Sequence, residues 1–286
     1  IIDPDTKLVF ESMVDEVSET ADLSVEEIAN EINQRIEVET SQNFFMPAKI
    51  ADSVLKKYLP IRSGKNLIVR RALIAFWALK LPEKLKYHDL PESILSRYKI
   101  TFIRIAKYLK ENFQEEYNAN NDLFCKDIRL VLGKSVASGV HVIDIDSEVP
   151  LKSFIKSFFL TKNINHLSWM IKYGKGTWLR IHYDSRFSED FNEKGWDGTY
   201  LRSADYLRLH PNVLGLAGTT WFYDPAIKRI SPNLGYVQSK QIEHGAIRLK
   251  HGSARVDIKN ALANSKTRRR LYAEKKYIPT SYSLLW

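Results

Sequence analysis

The sequence predicts an α/β (or α+β) protein, with a helical N-terminal region followed by a mixed-sheet α/β domain. Three observations predict it. Apolar residues recur at helical spacing through roughly the first 120 residues. A polar turn cluster, Asn118-Ala-Asn-Asn-Asp122, then interrupts the chain. Beyond it, short β-like runs alternate with helical stretches, the order that builds a sheet covered by helices. The expected division is 1–122, helical with an acidic N-terminal arm, and 123–286, the domain that carries the site.

In the helical region, Ser24-Val-Glu-Glu27 fits a capping box, and Ile28, Ile32 and Ile36 follow on one face. Asn66 to Lys80 forms a second helix, stopped by Leu81-Pro82. Ile94 to Tyr117 forms a third, with Phe102, Ile105, Ala106 and Leu109 on its apolar side.

After the turn cluster, Asp127 to Leu132 and Val140 to Ile145 read as short strands joined through Ser138-Gly139. Pro150 opens a helix that runs from Leu151 to Tyr173. Trp178-Leu-Arg180-Ile-His182-Tyr-Asp184-Ser-Arg186 is then the most informative stretch. With the two-residue period of a strand it separates Leu179, Ile181 and Tyr183 from Arg180, His182 and Asp184. A buried face backed by a cation, an imidazole and a carboxylate reads as the floor of a site.

A helix follows from Asn192 to Leu209, its first turns weakened by Gly195 and Gly198. Val213 to Tyr223 reads as a buried strand ending at Asp224-Pro225, and Leu234 to Val237 and Ala246 to Lys250 as two more. Ser253 caps a helix to about Ala273. Ser281 to Trp286 closes the chain as a strand.

The net charge of +9 is uneven: residues 1–40 carry −10 and the remainder +19. A body that basic favours an anionic cofactor or substrate, nucleic acid, or a membrane surface. One cysteine, Cys125, excludes an internal disulfide framework and a multi-cysteine zinc site, and its neighbourhood suits packing. The start of the chain lacks an apolar signal core, and the run Leu67 to Leu79 is too short to cross a bilayer. A cytoplasmic protein is the expectation.

Three kinds of chemistry compete. His182-x-Asp184 supplies two ligands of a 2-His-1-carboxylate iron site. His244 as third ligand, with Arg255 after ten intervening residues, gives a spacing that resembles the 2-oxoglutarate-dependent oxygenases, which implies Fe(II) and 2-oxoglutarate as cofactors. The competing role for Asp184 is to orient His182 or to pair with Arg180 or Arg186.

The second is acyl transfer. In about the last 75 residues the expected order is three strands, a helix and a strand. With Arg248-Leu-Lys-His251-Gly252-Ser253-Ala254 leading into a helix that carries Asn260, it resembles the core of GNAT-type acyltransferases. That resemblance implies an acyl-CoA donor whose pyrophosphate lies on backbone N–H groups at Arg248, Gly252, Ser253, Ala254 and Asn260. The family pattern wants glycine where His251 stands. His182 or Asp184 would then act as general base, Tyr223 would face the acceptor, and Tyr272 or Tyr277 would protonate the leaving thiolate.

The third is nucleic-acid binding through the basic run 266–277, which interleaves cations with Tyr272 and Tyr277. Trp221-Phe-Tyr223-Asp224-Pro225 reads first as a turn in which Asp224 accepts a local backbone hydrogen bond. The sequence holds no Gly-x-Ser-x-Gly elbow, no phosphate loop, no Gly-x-Gly-x-x-Gly and no His-Glu-x-x-His. The corresponding hydrolases, nucleotide triphosphatases, dinucleotide-dependent dehydrogenases and zinc proteases are disfavoured.

Overall fold

In the computed structural model, which describes residues 1–21, 23–39, 43–59, 65–112 and 116–286, helices occupy the chain up to residue 131. They are α1 (Pro4–Ala21), α2 (Val25–Glu37), α3 (Met46–Tyr58), α4 (Lys65–Leu85), α5 (Glu92–Leu95), α6 (Tyr98–Glu111) and α7 (Asp122–Val131). Strands β1 (Ser135–Ser138) and β2 (His141–Glu148) follow, then α8 (Leu151–Thr161), α9 (Asn165–Tyr173), β3 (Thr177–Tyr183) and α10 (Glu193–Leu209). The chain ends with β4 (Leu216–Thr220), α11 (Ile227–Ile230), α12 (Tyr236–Glu243), β5 (Ile247–Gly252), α13 (Arg255–Ala263), α14 (Lys266–Ala273) and β6 (Ser281–Leu285). The strands form one mixed sheet in the order β1-β2-β3-β4-β6-β5.

Local chemistry explains most boundaries. Ser24 caps α2 by accepting from the Glu27 N–H at 3.2 Å, and Ile28, Ile32 and Ile36 are buried along its face. Asn121 caps α7 in the same way through the Phe124 N–H.

Other expectations need correction. Asp127 to Leu132 is helical, within and at the end of α7. Phe124 through Val131 are all buried, and a helix enclosed on every side shows no alternation to betray it. Helix α4 runs past Pro82 to Leu85, because Leu81 and Leu85 are buried and keep the turn in place at the cost of one backbone bond.

The helix expected from Leu151 to Tyr173 breaks where Lys162 takes the left-handed conformation (φ 58°), giving α8 and α9. That from Ile94 to Tyr117 becomes α5 and α6, and residues 113–115 of it lie outside the described residues. Leu234 to Val237 is a single 3-10 turn led by Pro232 and then the start of α12, so the last part of the chain has one strand fewer than expected. Only Leu216–Thr220 of Val213 to Tyr223 is extended. Thr220 then accepts from the Phe222 N–H at 3.2 Å and starts a 3-10 turn. The helix after Ser253 is two helices, with Ala254 and not Ser253 at the first N-cap.

By its contacts the chain divides into two units, each discontinuous in sequence. The first comprises Ile1–Ile145, Tyr183–Asp190 and Gly198–Leu209. Helix α1 packs along α4 and against α6, with Phe10 and Val17 fully buried, so the acidic segment is a core element of this unit. Phe10 meets Phe102 edge to face at 6.1 Å. Strands β1 and β2 pair antiparallel through a two-residue turn, Gly139-Val140, whose first residue has φ +73°. Cys125 is fully buried, and burial pushes its thiol up to about 12, as the packing role requires.

The second unit comprises Asp146–His182, Phe191–Asp197 and His210–Trp286. Here β3 and β4 run parallel, whereas β6 pairs antiparallel with both β4 and β5. Val149, Phe154, Trp178, Ala217, Leu249 and Leu285 form one apolar cluster, backed by Trp169 and Tyr173 of α9. A smaller cluster joins Trp221, Ile227, Ala261 and Tyr277. Among the described residues, no helix is long and apolar enough to cross a membrane.

Candidate active site

Register builds the candidate site. Ala217 pairs with Leu285 and Thr219 with Ser283, while Leu249 also pairs with Ser283. These residues share one face of the sheet, apolar at Ala217, Leu249 and Leu285 and hydroxylic at Thr219 and Ser283. The register of β5 slips between Lys250 and Gly252, so His251 is an extra residue on that strand. His251, two residues on from Leu249, lies on the face of the hydroxyls. Its Nε2 lies 2.7 Å from Ser283 Oγ, which is 2.7 Å from Thr219 Oγ1. The strand next to it is fixed by the Lys250 N–H, which donates to the buried Ser157 Oγ of α8 at 2.7 Å.

Burial is the main cause of a His251 value lowered to about 4, and the charges of Lys156 and Arg180 act in the same direction against a weaker pull from Asp257. The imidazole is therefore neutral at physiological pH. Arg180 donates to the Glu148 carbonyl at 3.2 Å, and strand alternation puts His182 on the face of Arg180.

Just past His251, Gly252 has φ +89°, and a Cβ built there would meet nothing within 4 Å. Gly252, Ser253 and Ala254 then lead into α13, whose N-cap provides no side-chain hydrogen bond. The first N–H groups of that helix are left for another acceptor.

The other expected cofactor residues lie apart from this turn. Arg248 donates to Gln238 Oε1 at 2.7 Å and covers the Tyr282 ring, both on the face opposite Ser283. Gln238 in turn donates to the carbonyls of Phe222 and Asp224. Asn260 is exposed on α13. Tyr223 is 1% exposed, with its hydroxyl against Gly218, and burial raises it. Asp224 accepts from the Ala226 N–H at 2.9 Å and the Thr280 N–H at 3.2 Å, the turn role expected of it. Burial is the chief cause of its raised carboxyl.

Asp184 belongs to the first unit and is fully buried there. Arg186 donates to it from Nε at 3.0 Å, from Nη2 at 2.7 Å and from its own N–H at 3.0 Å. The same guanidinium binds Asp127 through both terminal nitrogens. Burial works to raise the Asp184 carboxyl, but Arg186 outweighs it and holds it down; at Asp127 burial wins and the carboxyl is raised.

Asp184 is thus bound by its neighbour Arg186, the pairing weighed against the metal reading. His244 stands exposed at the end of α12. Among the described residues, no group of three His, Cys, Asp or Glu side chains is placed to hold a metal ion.

The basic run is bonded into the fold in part, while Lys266, Arg269, Arg270, Lys275 and Lys276 are exposed. Arg268 is buried, donating to the Ala261 carbonyl at 2.5 Å and to Ser231 Oγ at 2.8 Å, and its guanidinium lies over Trp221. Arg269 donates to the carbonyls of Leu262 and Ala263, and Lys276 pairs with Glu274 at 2.8 Å. Tyr277 is buried, whereas Tyr272 is exposed.

Sequence reasoning missed Ser283 and Thr219 altogether and treated His251 only as a misfit. The usable signal was the glycine directly after a polar residue at the end of a strand, which marks a bulge. Comparison with protein-family models, with curated proteins and with solved structures gives no match.

Proposed function

We propose that the second unit carries an acyl-transfer centre in which His251 is the general base and the β5–α13 turn holds the phosphate portion of an acyl-CoA donor. The observation that carries this reading is the hydrogen-bonded chain His251–Ser283–Thr219 beside an uncapped helix start. A neutral imidazole 2.7 Å from a hydroxyl accepts a proton without first having to lose one. Ser283 and Thr219 fix its ring by hydrogen bonds.

The fit to the donor rests on open space over Gly252, free N–H groups at α13, and the cations Lys156 and Arg180. When bound, the thioester supplies an activated acyl carbon. His251 takes the proton of an attacking acceptor amine as its C–N bond forms and the C–S bond breaks. Arg248, turned to Gln238, has no part in this reading.

The test couples calorimetric binding of CoA with release of free thiol from acetyl-CoA in the presence of a panel of primary amines. We expect CoA binding by wild type, binding retained in His251→Ala, and thiol release lowered at least ~100-fold in that variant. Ser283→Ala should lower release less and leave binding intact. Absence of CoA binding by the folded wild type would end the donor assignment, and undiminished release in His251→Ala would end the assignment of the base.

A further inference from the structure

The first unit brings two guanidinium groups together over one glycine. A Cβ built on Gly139 would lie 3.2 Å from Arg202 Nη2 and 3.3 Å from Arg97 Nη2, so both cationic edges reach the same point. Gly139 has φ +73° at the first position of the β1–β2 turn, where only glycine is free of strain.

Arg202 is held there by its own bonds: Nε donates to Ser138 Oγ at 3.0 Å and Nη2 to the Ser138 carbonyl at 2.8 Å. The same carbonyl accepts from Thr199 Oγ1 at 3.2 Å. Gly198 makes the room, since a Cβ on it would sit 3.1 Å from Arg202 Nη2 and 3.2 Å from Nη1. A glycine inside a helix costs about 1 kcal/mol against alanine, and here it lets a guanidinium lie flat on the helix.

Charge is left over. The carboxylate nearest Arg97 is Asp190, at 3.9 Å from Nη2, the outer limit of an ion pair. Arg202 makes neutral hydrogen bonds to Ser138. Burial and then the neighbouring Arg97 lower Arg202 to about 10, against the pull of Asp190. Among the described residues, the buried Arg97 Nε finds no hydrogen-bond partner. Arg97 is 32% exposed and Arg202 half-buried, so a ligand meets their side chains from the solvent side, over the buried Gly139 turn. A monoanion is satisfied by one guanidinium; two converging ones match a group with two negative charges and several oxygens.

We propose that Arg97 and Arg202, set over the Gly139 turn, form a binding site for a phosphate dianion, either free or carried by a phosphomonoester. The test titrates the full chain by calorimetry with inorganic phosphate, with ribose 5-phosphate and with acetate, all at one ionic strength. We expect either phosphate probe to bind at least ~10-fold more tightly than acetate, the tighter of the two identifying the source.

Arg97→Gln should weaken that binding at least ~10-fold, and Lys228→Gln, exposed on α11 of the second unit, should leave it unchanged. Arg202→Gln should do as Arg97→Gln does. If Arg202→Gln fails to fold through loss of its Ser138 bonds, Arg97→Gln decides, because Arg97 makes none of them. Equal affinity for acetate, or binding undiminished in Arg97→Gln, would overturn the site. Loss in Lys156→Gln alone would assign the phosphate to the β5–α13 turn instead.

Discussion

Arg186 grips Asp127 by two N–H···O bonds of 2.9 and 2.6 Å, joining residues 59 apart in sequence inside the core of the first unit. With Asp184 on the same guanidinium, one buried cation bridges two buried carboxylates, and Tyr117 donates to Asp127 at 2.5 Å. Such a group is fixed by satisfaction of its partners more than by net attraction.

Removing the cation should therefore be severe. Arg186→Ala leaves two carboxylates without their counter-ion, and a loss of about 3–5 kcal/mol in urea unfolding is expected. Tyr117→Phe should cost about 1–3 kcal/mol, since Asp127 keeps its guanidinium. Near-equal losses in the two variants would contradict the arrangement.

His251 sets a pH dependence. Its folded value of about 4 lies below the ordinary 6.5, so the unfolded chain takes up the proton first. Stability from this residue is whole above pH 6.5 and falls as pH drops from there towards 4, by at most about 3 kcal/mol. Thermal melts of wild type and His251→Gln across that window should diverge in slope; parallel curves would remove the effect.

Gly218 is expected to reject even a methyl group. Its Cβ would lie 2.5 Å from the Tyr223 hydroxyl and 3.1 Å from Ile181 Cγ1. Gly218→Ala should destabilise by about 1–3 kcal/mol, and adding Tyr223→Phe should recover part of that. A single variant as stable as wild type would show that the contact relaxes freely.

The acidic segment gives a fourth expectation. Deleting residues 1–21 removes Phe10 and Val17 from the core against α4, so the first unit should lose its cooperative melt. Retention of that melt would show that the segment adds nothing to the unit's core.

The α/β class and the helical start were legible because α2 and α6 carry one-sided apolar stripes with clean polar faces. The strand at Leu179 to Ile181 was legible for the same reason at period two, with Leu179 and Ile181 buried and Arg180 half-buried. Helix α7 was not, because every side of it is covered.

The candidate site was half legible. Gly252-Ser253-Ala254 stands at a strand-to-helix turn as expected, but the partner of His251 is Ser283, set by pairing of β5 with β6. Spacing along the chain cannot report a contact that register makes between strands. Asp184 shows the reverse case. Its role was written two residues away, in Arg186, and the longer-range metal reading competed with that nearer partner.

The buried sulfur of Cys125 has a practical consequence. With its thiol raised to about 12 and shut away from solvent, the protein's sole cysteine is a poor target for maleimides and other thiolate-seeking reagents at neutral pH. A second cysteine introduced at an exposed place such as Tyr87 would accept a fluorophore or spin label alone. The wild-type chain thus comes ready for single-site spectroscopy, with no background substitution to make first.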